Sequence, residues 1–452
     1  MAAAYTTRPV VGRRFSRPRW LGGAPLSAMI LWTCLWCNLN TGPWFIAMPE
    51  SLSDWPNLVR ATLPFVVLPV AAFLVLRRGK LFLPKNAPSR LLMIYGLVAL
   101  IATVFSPDLA GSLYFSMTFL SSILVAWTFI ERADSTDSAR QLLIVTWVAT
   151  FIVAAIIGYQ ARGSVFYSSD TGYYAIMDEL HGASRSEGVA RWAAVPGLVC
   201  LVRAYHTRQF SLVAFYLGVA AVSFFIVYKM QSRGAVFGAV AALLFALLIS
   251  SRMRRYALPF AAMALVVILI LDSPGSFSTH VSTYLKRGQT NEQFYSMTGR
   301  TFVYERGLAA FESAPIIGRG QLADRNMLGE HVHNSFLQAL LNAGIVGGIP
   351  YCLSWVNGWM LFFKIQKSRD KLSLEDRVHV LECGTVMMFF SVRAIPETTT
   401  ASFAVDLLVM AAVYVYLETF SMSIARKPLR QLVPVPVRIP ANGRIASLKP
   451  TA

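Results

Sequence analysis

The chain alternates between long apolar runs and short polar segments, and many of the runs could cross about 30 Å of hydrocarbon as helices. Twelve spans are predicted, over 24–45, 61–77, 90–106, 111–130, 141–160, 189–203, 210–228, 234–251, 256–272, 335–362, 379–394 and 401–421. This reads as an all-α polytopic membrane protein with about 12 transmembrane helices. Two polar breaks, 161–188 and 273–334, exceed what a connection needs. The second is expected to carry short helices of its own. The domain reading follows: a basic tail over 1–20, nine spans over 21–272, the large loop 273–334, three spans over 335–425, and a tail over 426–452. That last segment contains Val-Pro-Val-Pro-Val from Val433 and reads as disordered.

Composition agrees with lipid as the solvent. Hydrophobic residues make up 55% and charged residues only 14%, where a soluble domain carries roughly 25% charge. A net charge of +18 would suggest a nucleic-acid partner in a soluble protein. Here most of the 41 Lys and Arg sit in short segments beside the spans, where they fix orientation and meet anionic head groups. No nucleic-acid partner is expected. The distribution places both termini in the cytoplasm and the loops 161–188 and 273–334 outside. Arg8, Arg13, Arg14, Arg17 and Arg19 precede an apolar run too long for a signal peptide, so an uncleaved first span is expected. Cys34, Cys37, Cys200, Cys352 and Cys383 fall in or beside apolar segments, and the Cys34-x-x-Cys37 pair has no second pair to complete a zinc site.

Chemistry-bearing residues gather on the outer side. Gln231-Ser-Arg233-Gly opens the span at 234, and its guanidinium is either an interfacial anchor or an anion-binding fork. Ser296-Met-Thr-Gly-Arg300 precedes an amphipathic stretch. Arg300 near the start of that helix is badly placed for the macrodipole unless an anion lies nearby. Ala314-Pro-Ile-Ile-Gly-Arg-Gly reads as a tight turn. Glu330-His331-Val-His333-Asn334-Ser335 then leads into the span at 335, where Gly344, Gly347 and Gly348 permit close helix packing. His333, at the polar mouth of that span, is the best general-base candidate. A metal at His331 and His333 would need a third ligand that the sequence does not clearly supply, so none is expected. Arg185 and Glu187 end the first long loop. Arg393 and Glu397 join the last two spans and could simply pair with each other. Asp406, just inside the final span, is costly enough in lipid to require a partner or a polar cavity.

Together, Ser-Arg-Gly at 232–234, Thr-Gly-Arg at 298–300, Pro-Ile-Ile-Gly-Arg-Gly at 315–320, His-x-His-Asn-Ser-Phe-Leu-Gln from 331 and Gly-Ile-Val-Gly at 344–347 resemble the bacterial O-antigen ligase and polymerase superfamily. Arg393 to Glu397 is similar to that family's late Arg-x-x-x-Glu element. The resemblance implies a helical inner-membrane glycosyltransferase working at the periplasmic face. Its donor would be a polyprenyl-pyrophosphate-linked glycan, with no metal or other cofactor. Carried over by position, Arg233 and Arg300 would bind the pyrophosphate and His333 would deprotonate the acceptor hydroxyl. Arg185, His331, Asn334, Arg393 and Glu397 are read as substrate-binding. The family's Asn-rich segment after Gly188 is replaced here by Val-Ala-Arg191-Trp-Ala-Ala. The acceptor would be a growing glycan or a lipid A core; polymerisation of exopolysaccharide or O-antigen repeats is favoured over ligation, with protein glycosylation behind. Polysaccharide assembly and export proteins are candidate partners. A transporter or flippase for lipid-linked sugars is the reading from another class, and it expects charges buried through the bundle and paired broken helices.

Overall fold

A computed structural model describes residues 25–39, 55–77, 85–130, 136–163, 174–176, 183–255 and 300–426, with a few positions between 279 and 291. The protein is helical and polytopic. Its helices are α1 (Leu26–Cys37), α2 (Trp55–Arg77), α3 (Pro88–Ala102), α4 (Leu109–Trp127), α5 (Asp137–Gln160), α6 (Ser186–His206), α7 (Phe210–Lys229) and α8 (Arg233–Ile249). They continue with α9 (Arg300–Glu312), α10 (Ala323–Leu328), α11 (Ser335–Lys367), α12 (Leu374–Arg393) and α13 (Val405–Arg426).

Seven of these are long and apolar enough to cross a membrane: α2, α3 with its short continuation to Phe105, α4, α5, α7, α11 and α13. Seven of the twelve expected spans therefore meet that measure among the described residues. α1 and α8 are apolar but shorter. α6 and α12 form over the expected segments but carry charge within them, Arg191, Arg203, His379 and Glu382 among others. The span expected at 256–272, the tails 1–20 and 427–452, and most of 273–299 lie outside the described residues. Of the large loop, residues 300–334 do carry two short helices, α9 and α10. One element departs from the all-α expectation. In the 161–188 loop, β1 (Tyr174–Ile176) pairs antiparallel with β2 (Ala183–Arg185), with Tyr174 opposite Arg185. That ladder gives backbone groups a partner just before α6 begins.

α13 is the central post. From Leu407 to Leu417 every side chain is at most 1% exposed, and the helix packs against α3, α4, α5, α11 and α12. Such all-round apolar burial lets the surrounding helices turn one face inward and leave another for lipid. Two polar residues on this post and on α12 are paired. Asp406 accepts from Arg191 at 3.1 Å, joining α13 to α6. Glu382 takes Arg203 at 2.7 Å, His379 at 3.1 Å and the Trp147 indole N–H at 3.0 Å. Charges inside such a bundle persist because removing either partner would strand the other in low dielectric.

Near its start α11 is broken. Gly344 adopts φ +58° and ψ −162°, dividing the helix into 335–343 and a longer second half. Pro315 to Gly320 lies into that break. Ile345 N–H donates to Pro315 O (2.8 Å) and Val346 N–H to Ile316 O (3.1 Å), while Arg319 and Gly320 N–H donate to Leu341 O (3.0 Å) and Asn342 O (2.8 Å). The turn and the helix thereby satisfy each other's backbone. A Cβ at Gly344 would lie 2.2 Å from Ile316 O, and one at Gly318, whose φ is +71°, would lie 2.6 Å from Ala343 N. Both positions demand glycine.

Candidate functional site

The first half of α11 starts at Asn334, whose Oδ1 accepts from the N–H groups of Phe336 (3.0 Å) and Leu337 (2.9 Å) as an N-cap. Its Nδ2 donates to Ile395 O at 3.0 Å. Next to it, buried Ser335 donates to Glu397 O (3.0 Å) and accepts from Thr399 N–H (2.6 Å), and Ser335 N–H donates to Ala394 O. The connection from α12 to α13 is therefore stitched to the start of α11. Glu397 and His333 become neighbours although they lie 64 positions apart in the chain.

Glu397 is the hub. One carboxylate oxygen, Oε2, lies 3.3 Å from His333 Nδ1; the other, Oε1, accepts from Arg300 Nη2 at 2.6 Å. Arg300 also reaches Glu187 Oε1 at 3.1 Å, and its Nη1 donates to Pro396 O. The sequence asked for an anion near Arg300 at the start of α9; two carboxylates supply it. Arg393 does not take Glu397 as its ion-pair partner. Its guanidinium is buried, stands over the Phe389 ring at 5.7 Å, and leaves Nε and Nη1 without hydrogen-bond partners among the described residues. It lies within the fields of Asp406, Arg191, Glu397 and Glu187.

Arg233 is the first residue of α8, capped by Ser232, which accepts from Ala235 N–H. The adjacent Gly234 lies against the site: a Cβ there would be 3.5 Å from Glu397 Cγ and 4.0 Å from Arg393 Nε. The start of α8 is thus brought to the Arg393–Glu397 wall. Arg185 closes β2 two residues before Glu187, so its backbone approaches the same end.

His333 has φ +50°, a left-handed conformation that a non-glycine residue adopts only when its surroundings fix it. Tyr304 on α9 donates to His333 O at 3.1 Å. On the other side His331 stands edge-on to its ring, with the centroids 6.0 Å apart. The His331 Nε2 accepts from Arg325 Nε at 3.0 Å, so its Nδ1–H donates to buried Asp324 at 3.1 Å. Asp324 accepts further from Val332 N–H and Gln338 Nε2, each at 3.3 Å. Burial, only partly offset by Asp324, lowers the His331 pKa and keeps the ring neutral. Among the described contacts His331 and Asn334 hold the loop that presents His333.

The two carboxyls differ. Burial pushes Glu397 up, but the His333 hydrogen bond and the charges of Arg300 and Arg393 outweigh it and hold the carboxyl well below the ordinary range. Burial and then the Glu397 charge push Glu187 up, more than Arg300 pulls it down. Glu397 is the fixed anion, and Glu187 the one that yields.

One atom from each of Glu187, His333 and Glu397 lies within 4.8 Å of the others, a spacing that could hold a metal ion. Arg300 is already the cation between both carboxylates. A divalent ion would have to displace that guanidinium, so the donor set fits an arginine-neutralised site better than a metal centre. Glu187 is the site residue that sequence reading assigned no role. Its signal, an acid two residues after Arg185 at the mouth of a helix, was present but unspecific.

No curated protein matches the chain. Residues 218–352 match the family described as O-antigen ligase, a stretch that includes Arg233, Arg300 and His333 and stops short of Arg393 and Glu397, and this match supports the O-antigen ligase and polymerase superfamily for the chain.

Proposed function

We propose that this is an inner-membrane glycosyltransferase whose periplasmic site polymerises exopolysaccharide or O-antigen repeats from a polyprenyl-pyrophosphate-linked donor. The observation that carries it is the joining of His333 to Glu397, with Arg300 on the other carboxylate oxygen. Glu397 receives Nδ1–H and leaves Nε2 as the basic nitrogen, directed by the same logic that orients the histidine of a catalytic triad. Nε2 takes the proton of an acceptor hydroxyl as its oxygen bonds to the anomeric carbon. The bond from that carbon to the pyrophosphate breaks, and the leaving group departs with the electron pair.

Arginines meet the charge that develops there. Arg233 at the start of α8 and Arg300 bind the pyrophosphate, with Arg393 buried behind them. Arg300 must share itself between carboxylates and donor. Glu187, whose carboxyl is pushed toward neutrality, is the partner it releases. The reaction balances without an ion or oxidant: one O–H and one C–O bond break, and one C–O and one N–H bond form.

Ligation to a lipid A core uses the same chemistry with another acceptor. Transport is disfavoured by the pairing of two charges buried in the bundle: Asp406 is met by Arg191 and Glu382 by Arg203. The break in α11 is likewise filled by Pro315–Gly320 backbone instead of lining a path. Purified protein incubated with a lipid-linked repeat unit tests the reading. Release of polyprenyl pyrophosphate with elongation of the glycan is expected, and glycan movement across a vesicle without release of pyrophosphate contradicts it.

A further inference from the structure

At the end of the bundle opposite His333, the last turns of α6, α8 and α11 and the first turn of α12 enclose a pocket of about 180 Å³. Its polar lining is basic: His206, Arg252, Arg369 and Arg377, with Gln366 and Ser250 between them. All three arginines are half-buried.

Each guanidinium is held by a main-chain carbonyl instead of an acid. Arg369 Nη1 donates to Ile249 O at 2.9 Å, Arg377 Nε to Leu372 O at 3.1 Å, and Arg252 Nη1 to His206 O at 3.5 Å. Arg377 Nη2 also donates to Asp370 O at 3.3 Å. These contacts fix the forks in place and use only part of their five N–H donors. Three of the nearby acids are engaged elsewhere: Glu375 and Asp376 with Arg140, at 4.0 and 2.7 Å, and Glu382 with Arg203; the fourth, Asp370, is exposed. None of the three arginines has a carboxylate partner among the described residues, in contrast to Arg191, Arg203 and Arg300. Gathering three partly desolvated cations around one cavity is costly unless an anion completes it.

We propose that this pocket binds a phosphate group, carried either by the headgroup of an anionic membrane lipid or by a soluble phosphate ester. The planar forks match phosphate oxygens, Gln366 and Ser250 supply neutral donors, and the start of α12 adds the positive end of a 20-residue helix. The location at helix ends suits a headgroup entering between helices from the bilayer edge. Occupancy would clamp the ends of α6, α8, α11 and α12 together, the four helices whose other ends carry Glu187, Arg233, His333 and Arg393.

Purified full-length protein in detergent is titrated with phosphatidylglycerol, and with phosphatidylcholine as the neutral comparison, and adducts are counted by native mass spectrometry. In parallel, thermal melts are recorded with inorganic phosphate against chloride at matched ionic strength. The wild type is expected to bind phosphatidylglycerol in preference to phosphatidylcholine, or to be stabilised by phosphate. The first outcome identifies a lipid source and the second a soluble one. Arg369→Gln with Arg377→Gln weakens the response roughly tenfold or more, whereas Arg255→Gln, exposed and outside the pocket, leaves it unchanged. Arg252→Gln alone gives a second, smaller loss should the double variant fail to fold. Equal responses from wild type and the pocket variants in both arms, or equal binding of the two lipids together with no stabilisation by phosphate, overturn the proposal.

Discussion

Glu397 Oε2 lies 3.3 Å from His333 Nδ1, and the hydrogen bond joins the loop after α12 to the residue that precedes the cap of α11. A neutral ring oriented in this way has its basic lone pair on Nε2. Glu397→Gln keeps the size but can present an amide N–H to Nδ1, favouring the wrong tautomer. Turnover is expected to fall by roughly 100-fold or more with little change in KM. Steady-state kinetics on a lipid-linked substrate checks this, and an unaltered kcat would remove Glu397 from the mechanism.

The fit of Pro315–Gly320 into the α11 break makes a structural prediction. Gly344→Ala places a Cβ 2.2 Å from Ile316 O in a left-handed conformation, so it should cost about 2–4 kcal/mol or prevent folding. A thermal melt is the check. Gly329→Ala is the comparison: its φ is +75° but nothing lies within 4 Å of the added carbon, and the loss should be smaller.

Arg191 and Asp406 form a pair that only makes sense together. Asp406→Ala leaves a guanidinium with no acid in the bundle, at an expected cost of about 3–5 kcal/mol. Replacing both by leucine should recover most of the loss. Retention of a monodisperse peak on size exclusion after heating ranks the three proteins, and a double variant no more stable than Asp406→Ala would contradict the pairing.

Glu187 gives a pH dependence with a definite sign. Its folded pKa is raised above the ordinary value of 4.5, so the folded protein holds the proton longer than the unfolded chain. Its contribution to stability therefore declines as pH rises from about 4.5 through the folded value. Glu187→Gln should melt higher than wild type at pH 8, and the gap should close as pH falls to the ordinary glutamate range. A gap that widens on acidification would show that the Arg300 pairing dominates instead.

Much of this was legible in the sequence. Apolar runs located the helices, and Asp406 inside the last one called for a partner, which Arg191 supplies. Arg300 at a helix start called for an anion, and it has two. The count of spans was less secure, because a buried helix such as α6 or α12 tolerates charge when another helix brings the opposite sign. Long-range assembly was not legible either. Local patterns show that Arg393 and Glu397 are neighbours in sequence, but not that Glu397 is taken by Arg300 and His333 from other segments. The Pro-Ile-Ile-Gly-Arg-Gly turn was visible as a turn, whereas its seat against Gly344 depends on hydrogen bonds between residues about 25 apart.

The most direct test of the central claim is polysaccharide chain length by gel in a deletion strain complemented with wild type or His333→Ala, at matched expression. The account predicts that the variant accumulates single lipid-linked repeat units and makes no long chains. Long lipid-linked chains that never reach a lipid A core would retain the histidine and change the reaction to ligation. Glycan of wild-type length from His333→Ala would contradict His333 as the base.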